Sequence, residues 1–384
     1  METTFWLALT FCAALCLIHI VTVVVAIVRC RPDQPQARPA YASSVTLIRP
    51  VCGVDNYCRE TLRSSFNLDY ARYDILFCVA SGKDPAVPLV EQLIADYPNI
   101  PARLLIGDER ISQNPKLNNI CKGWEAATGE WIIIADSNVL MPRDYLQRLL
   151  GAWRPDTGLV CSPPIGCLPA GLWAEVECAF LNTYQARWQY FADSVGLGFA
   201  QGKTMLWRRQ ELNAAGGLRR LAQEMAEDAA ATKVVRDARK RVRLVDGPFG
   251  QPLGIRRFAD VWKRQLRWAR LRRDSFRLCY APEIFSTGLL PMLLGGVAAG
   301  IAGVSPLGAA VLVGAVWYGA EAVLANAARW PLTLQAPLAW LLRDVLLVPL
   351  WIAGWFGNDL VWRGNQMDMT DDVMLKAGSA KTGE

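Results

Sequence analysis

Residues 5–28 carry no Asp, Glu, Lys or Arg, with His19 the one polar intruder of note, and this apolar run restricts the chain to architectures with a membrane anchor. A hydrophobic stretch of about 20 residues matches the thickness of a bilayer core. A cleaved signal peptide is the competing reading. The opening Met1-Glu2-Thr3-Thr4-Phe5 has no basic residue, however, and the run is longer than an ordinary signal core. Arg29 and Arg31 follow at once, which by the positive-inside rule puts the next segment in the cytoplasm. A second hydrophobic block lies far downstream. Residues 284–304 and 306–328 read as two spans joined by a turn at Ser305-Pro306, the second holding one acid, Glu321. Residues 337–356 are a third apolar stretch, broken by Arg343-Asp344. Charges inside hydrocarbon are costly, so this stretch is interfacial, re-entrant, or packed with its charges toward protein. A hydrophobic content of 52% and a mean hydropathy of +0.17 agree with a membrane component.

Between the two blocks the pattern changes. Apolar strands are expected at 45–48, 73–80, 102–106 and 131–135, and helices at 57–66, 88–97 and 116–127. Strand–helix alternation predicts an α/β domain with a mostly parallel sheet, whose ligands bind at the carboxyl ends of the strands. The expected division is an anchor over 1–31, a Pro- and Ala-rich linker over 32–44, and a cytoplasmic α/β domain over 45–283. Membrane segments over 284–357 and a polar tail over 358–384 follow.

The chain has a single histidine, His19, and it lies in the first apolar run. No Ser-His-Asp triad, Cys-His pair or histidine-based metal site can form in the central domain, so acid–base work falls to carboxylates. Eleven cysteines without a CxxC or a Cys/His cluster argue against structural zinc and suit a reducing compartment. The net charge of +6 is concentrated in residues 236–277, immediately before the downstream block. A solvated helical face or nucleic-acid binding would account for such a run. Its position beside the membrane favours attraction to anionic lipid headgroups, and no nucleic-acid partner is expected.

Three aspartates stand out against this background. Asp84, in Ser81-Gly82-Lys83-Asp84-Pro85, follows the second strand; it can accept hydrogen bonds from a nucleoside or cap the next helix. Asp136 ends the most apolar strand and begins Asp136-Ser137-Asn138. This triplet is either turn chemistry or a pair of hard oxygen ligands, Asp136 and Asn138, for a divalent cation on a diphosphate. Asp228 sits beside Glu227; one of the pair could serve as a base, or both could face solvent on a helix. Downstream, Arg264, Arg267 and Trp268 fall on one face of a helix. Guanidinium groups there can neutralise a departing diphosphate, and an indole can stack on a sugar or base.

The order Asp84, Asp136, Asp228, Arg264-Gln265-Leu266-Arg267-Trp268 resembles the D, D, D, (Q/R)xxRW signature of inverting membrane glycosyltransferases. The chain is similar to the ceramide glucosyltransferases, in their bacterial branch. The likeness extends through Arg49 to Asp55, Cys78 to Ala86, Asn114 to Asn119, Gly216-Gly217 and Arg264 to Arg272, about three quarters of the chain. It implies a GT-A nucleotide-sugar-binding domain with N-terminal and C-terminal transmembrane helices in the inner membrane. It also implies a UDP-glucose donor, ceramide as acceptor, Mg²⁺ or Mn²⁺, and inversion to a β-glucoside. On that basis Asp84 would contact uridine, Lys116 the nucleotide, Asp55 and Glu227 the substrates, and Asp136 with Asn138 the metal-bound diphosphate. Asp228 would be the base, with Arg264, Arg267 and Trp268 holding diphosphate and acceptor. The aromatic stretch 173–199 would form the lipid-facing cover.

Other readings remain open on sequence. The same chemistry could act on a hopanoid or diacylglycerol, with glucose, galactose or N-acetylglucosamine as the sugar. Three or four spans offer little material for the channel of a processive polysaccharide synthase. A non-catalytic basic protein would explain the arginines but leave the regularly placed acids unexplained.

Overall fold

The apolar strands assemble side by side because each is hydrophobic on both faces and needs helices above and below it. The computed structural model describes residues 1–31, 43–362 and 365–368. Most of the expected linker (32–44) and much of the expected tail (358–384) lie outside the described residues. Seven strands form one mixed sheet in the order β3-β2-β1-β4-β7-β5-β8. They are β1 (Val45–Pro50), β2 (Tyr73–Val79), β3 (Ala102–Ile106), β4 (Trp131–Ala135), β5 (Thr157–Cys161), β7 (Thr204–Arg208) and β8 (Arg241–Leu244). Strands β6 (Ile165–Ala170) and β9 (Gly250–Ile255) pair with each other outside it. Four of the six neighbouring pairs in the large sheet are parallel; β7 runs against both β4 and β5. The fold is therefore α/β with a mostly parallel sheet, as expected.

The four strands legible from sequence match β1 to β4 to within two residues, and the three helices appear at Cys58–Arg63 with a 3₁₀ turn after it, Val87–Asp96 and Pro115–Ala126. The chain winds outward from β1 through β2 to β3 and then crosses back to add β4 on the other side of β1. Such a reversal opens a crevice at the carboxyl ends of β1 and β4, where α/β sheets bind ligands. Two apolar cores fill the two faces of the sheet, one built around Leu47, Ile75 and Phe77, the other around Ile48, Leu76 and Ile134.

Among the described residues three helices are long and apolar enough to cross a membrane: Glu2–Cys30, Pro306–Ala327 and Ala336–Gly354. The expected span at 284–304 takes another form. A 3₁₀ segment, Ala281–Ser286, ends at Thr287-Gly288, and a helix over Leu289–Ile301 continues with a 50° bend. The straight part of 13 residues rises only about 20 Å, short of a bilayer core of about 30 Å. The bend falls where the Gly288 amide donates to Asp344 Oδ2 at 2.8 Å.

The stretch at 173–199 also departs from expectation. It folds as a continuous helical run of Leu172–Ala179, a π-helical turn over Phe180–Ala186, and Arg187–Ser194. Most of it is buried, including Glu177, Asn182, Thr183 and Arg187, rather than forming a lipid-facing cover. Its polar side chains are the reason, because they meet partners on the anchor and the downstream helices. Arg187 donates to Thr22, and Thr183 both accepts from Arg343 at 2.8 Å and donates to Glu321 at 2.7 Å.

Candidate active site

Each carboxylate of the signature is delivered by the end of a strand or the start of a helix. Asp136 follows directly after β4. Because β7 is antiparallel to β4 with Thr204 opposite Ala135, the residues before β7 arrive at the same sheet edge. Lys203 therefore lies beside Asp136, whose amide donates to the Lys203 carbonyl at 3.0 Å. Below the turn, fully buried Arg49 donates to the carbonyls of Ser137 at 3.0 Å and Val139 at 3.3 Å and fixes its shape.

Lys116 comes from the first turn of the helix Pro115–Ala126. Asn114 caps that helix by accepting from the amides of Lys116 at 2.9 Å and Leu117 at 3.3 Å, and Pro115 occupies the first helical position. The Lys116 ammonium then meets Asp136 Oδ1 at 2.7 Å, Glu227 Oε1 at 2.7 Å and the Gly202 carbonyl at 2.5 Å. The Asn114 amide donates to the other Glu227 oxygen at 2.9 Å. Glu227 and Asp228 open the helix Glu227–Asp237, whose positive dipole end favours them. Asp228 accepts from the amides of Ala229 at 2.8 Å and Gly202 at 3.2 Å. A side chain at Gly202 would bring a β-carbon to 2.9 Å from Glu227 Oε1, so only glycine lets this loop press against the acids.

Charges divide the two aspartates. Burial alone would raise the Asp136 carboxyl, but Lys116 and Lys203 outweigh it and hold it well below the usual range. Burial opposes the charge on Lys116 too, and Asp136 with Glu227 more than restores it. For Asp228, burial and then the negative Glu227 raise the carboxyl to about 6, with Lys116 and two amides only partly offsetting them. One acid is thus fixed as an anion while its neighbour is poised to exchange a proton near neutrality.

Lys203 bridges the expected metal pair, its ammonium 2.8 Å from Asp136 Oδ2 and 3.3 Å from Asn138 Oδ1. Among the described residues no cluster of three His, Cys, Asp or Glu side chains exists to cage a metal. Two hard oxygens that already converge on one cation fit Mg²⁺ or Mn²⁺, which complete their shell with phosphate oxygens and water.

The remaining predicted residues line the flanks. Asp84 is half-buried and accepts from the Gly53 amide at 3.0 Å and the Ala86 amide at 2.8 Å, tying the loop after β1 to the turn before Val87–Asp96. Asp55 lies on that same β1 loop and pairs with Arg256 at 3.3 Å. Burial would raise it, but Arg256 wins and holds it below its ordinary value. The helix Phe258–Ser275 presents Arg264 to Glu177 at 3.1 Å. Arg264 is also near enough to act electrostatically on Asp55 and Lys203. Arg267 is half-buried on the same helix, and the Trp268 indole packs against Ala174, Cys178, Leu181 and Leu253. Other arginines of the basic run are held internally. Arg272 chelates Glu283 at 2.7 and 2.9 Å, while Arg270 and Arg273 donate to the carbonyls of Phe356 and Trp355.

Sequence reasoning did not reach Lys203, Gly202 or Glu177, and it named Asn114 within a matching stretch without giving it a role. Lys203 and Gly202 become neighbours of Asp136 only through antiparallel β7, for which no strand was expected. Glu177 carried a signal: an acid between Val176 and Cys178, on a helix apolar but for it and Glu175, needs a buried partner.

The class to which a chain with this site belongs is given by its family, that of the glycosyl transferases. The model for glycosyl transferase family 21 matches residues 10–374, and the chain belongs to that family. It is 27% identical to ceramide glucosyltransferase 1 of Caenorhabditis elegans over 264 residues, 68% of this chain and 56% of the relative, so it spans little more than half that protein's length. It is 24% identical to the ceramide glucosyltransferase of Komagataella phaffii, over 87% of this chain and 84% of that one. Among solved structures, a mannosyltransferase from Pyrobaculum calidifontis in complex with GDP-Man and Mn²⁺ covers 90% of this chain and 98% of its own at 18% identity, with a TM-score of 0.49.

Proposed function

We propose that the protein transfers glucose from UDP-glucose to the primary hydroxyl of ceramide, with inversion, at the cytoplasmic face of the inner membrane. The observation that carries this reading is the grouping of an anion-fixed Asp136, a raised Asp228 and the cations Lys116 and Lys203 around one crevice. In that crevice the ionised Asp228 takes the proton of the acceptor hydroxyl as its oxygen forms a bond to the anomeric carbon. The bond from that carbon to the diphosphate breaks on the opposite face, and UDP leaves with the electron pair. Arg264 and Lys116 neutralise the charge that develops on it, with Arg267 supporting them. Asp55 on the loop after β1 and Asp84 on the loop after β2, which are tied together through Gly53, hold the nucleoside, and the packed Trp268 sets the angle at which the arginines are presented. Mg²⁺ or Mn²⁺ held by Asp136 and Asn138 would supply a Lewis acid for the leaving diphosphate.

Ceramide is favoured as acceptor by the names of the curated relatives, and the membrane side by the basic residues after the anchor. The test is transfer from radiolabelled UDP-glucose, UDP-galactose and UDP-N-acetylglucosamine to extracted lipids by the purified full-length protein. Label from UDP-glucose alone in an alkali-stable sphingolipid is expected. Label in a hopanoid or in an alkali-labile glycerolipid keeps the mechanism and moves the acceptor. No label in any lipid with folded protein and Mg²⁺ present rejects the reading.

A further inference from the structure

Asp136 has two carboxylate oxygens, and each is met by a lysine ammonium, but the two lysines differ. Lys116 has an acceptor for each of its three protons, Asp136 Oδ1, Glu227 Oε1 and the Gly202 carbonyl, and its side chain is only 6% exposed. It is part of the framework of the site. Lys203 donates to two acceptors, Asp136 Oδ2 and Asn138 Oδ1, and its side chain is 21% exposed. Its ammonium occupies the point at which the two oxygens of the Asp136-Ser137-Asn138 turn converge, and water reaches it.

We propose that Lys203 is a resident cation of the Asp136–Asn138 pair, which a divalent metal must displace in order to bind. The proposal rests on the reading of Asp136 and Asn138 as metal ligands. A compact monovalent head on a flexible four-carbon stem suits the role, because it can leave without rearranging the backbone. The backbone bond from the Asp136 amide to the Lys203 carbonyl keeps the turn in place whether the side chain is in or out. With Lys203 in position, both oxygens of Asp136 are already opposed by a cation and the resting site binds metal weakly. A donor diphosphate, which brings negative oxygens to both the metal and the displaced ammonium, tips the exchange. Metal and nucleotide therefore enter together, and Lys203 moves from the carboxylate to the phosphates.

The test is Mn²⁺ binding to the full-length protein in detergent micelles with no nucleotide, read as loss of the free Mn²⁺ electron paramagnetic resonance signal. Lys203→Met removes the charge and keeps the length. It should bind Mn²⁺ on the order of tenfold more tightly than wild type, the loss of one charge-assisted competitor. Lys203→Gln should behave alike, and Lys203→Arg, which keeps a cation, should stay as weak as wild type. Adding Asp136→Asn to Lys203→Met should erase the gain. Unchanged Mn²⁺ affinity in both neutral variants overturns the proposal, as does an equal gain in Lys203→Arg, which would mark a structural effect of the substitution. A tight site that survives Asp136→Asn in the double variant would instead overturn the assignment of Asp136 as ligand.

Discussion

Two aspartates at neighbouring loop ends take opposite protonation behaviour, and the difference comes from a few side chains. Asp136 faces two ammonium groups; Asp228 faces Glu227 and is offset only in part by Lys116 and two backbone amides. Burial and Glu227 raise Asp228 from 3.8 to about 6, so ionisation is the unfavourable direction in the fold. As a base Asp228 must be ionised. kcat/KM should therefore be level above about pH 6 and fall about tenfold per pH unit below it. Asp228→Asn should retain UDP binding, lose roughly 10²–10⁴-fold in turnover and show no such acid limb. A wild-type rate in that variant removes Asp228 from the mechanism. The sign for stability is the reverse of a salt-bridged acid: the Asp228 contribution is present at low pH and is lost as pH rises from 3.8 through about 6. At this scale the sequence showed which acids stood at strand and helix ends, because apolar runs and turn residues mark those ends. It did not show which cation each acid would meet, since Lys116 and Lys203 reach Asp136 from elements 20 and 67 residues away.

Among the elements, the downstream helices and the helical run 172–194 are joined by charges in a region that composition marks as apolar. Arg343 donates to Glu321 at 2.8 and 2.9 Å, to Thr183 at 2.8 Å and to Asp344 at 2.8 Å; all three charged groups are essentially inaccessible. Asp344 in turn accepts from Tyr318 at 3.0 Å and from Gly288 at the bend. The costly Arg343-Asp344 interruption and the lone acid Glu321, separate blemishes in sequence, are one network in space. Removing a single partner leaves a buried charge exposed to no compensation. Arg343→Met should destabilise the protein by about 3–5 kcal/mol. Glu321→Met combined with Arg343→Met should cost less than Arg343→Met alone, because it leaves one buried carboxylate, Asp344, without its cation instead of two. Thermal unfolding in micelles measures both; strictly additive losses would mean that the two residues do not act as a unit. Hydropathy marks where an apolar helix lies but not how it turns. That is why the run at 284–304 read as one span although Thr287-Gly288 bends it against Asp344.

For the whole molecule, the question is how a polar crevice is held against a membrane. The anchor ends in Arg29, which pairs with Asp193 at 2.9 Å and with Asp246, locking it to the helix Arg187–Ser194 and to the loop after β8. The helix Ala336–Gly354 is tied to the same body at both ends. Near its start Thr333 acts on the Glu175 carboxyl, and beyond its end the carbonyls of Trp355 and Gly357 accept from Arg273 of the helix that bears Arg264. Between them Leu347 and Leu350 pack into the core shared with Phe180 and Tyr184. Its 19 residues could reach about 28 Å, enough to span a bilayer by length and composition. With both of its ends meeting the α/β domain, the helix is expected to lie along that domain rather than to cross the bilayer. Single cysteines at Leu334 and Phe356, both exposed, should then react with an impermeant maleimide from the same side of sealed vesicles, in a background cleared of native cysteines. Labelling from opposite sides would make the helix a true span and carry the C-terminal end away from the crevice. Labelling of both from the side of the α/β domain would leave the arginines of residues 264–273 clamped between that domain and a surface helix, within reach of an acceptor that enters from the lipid.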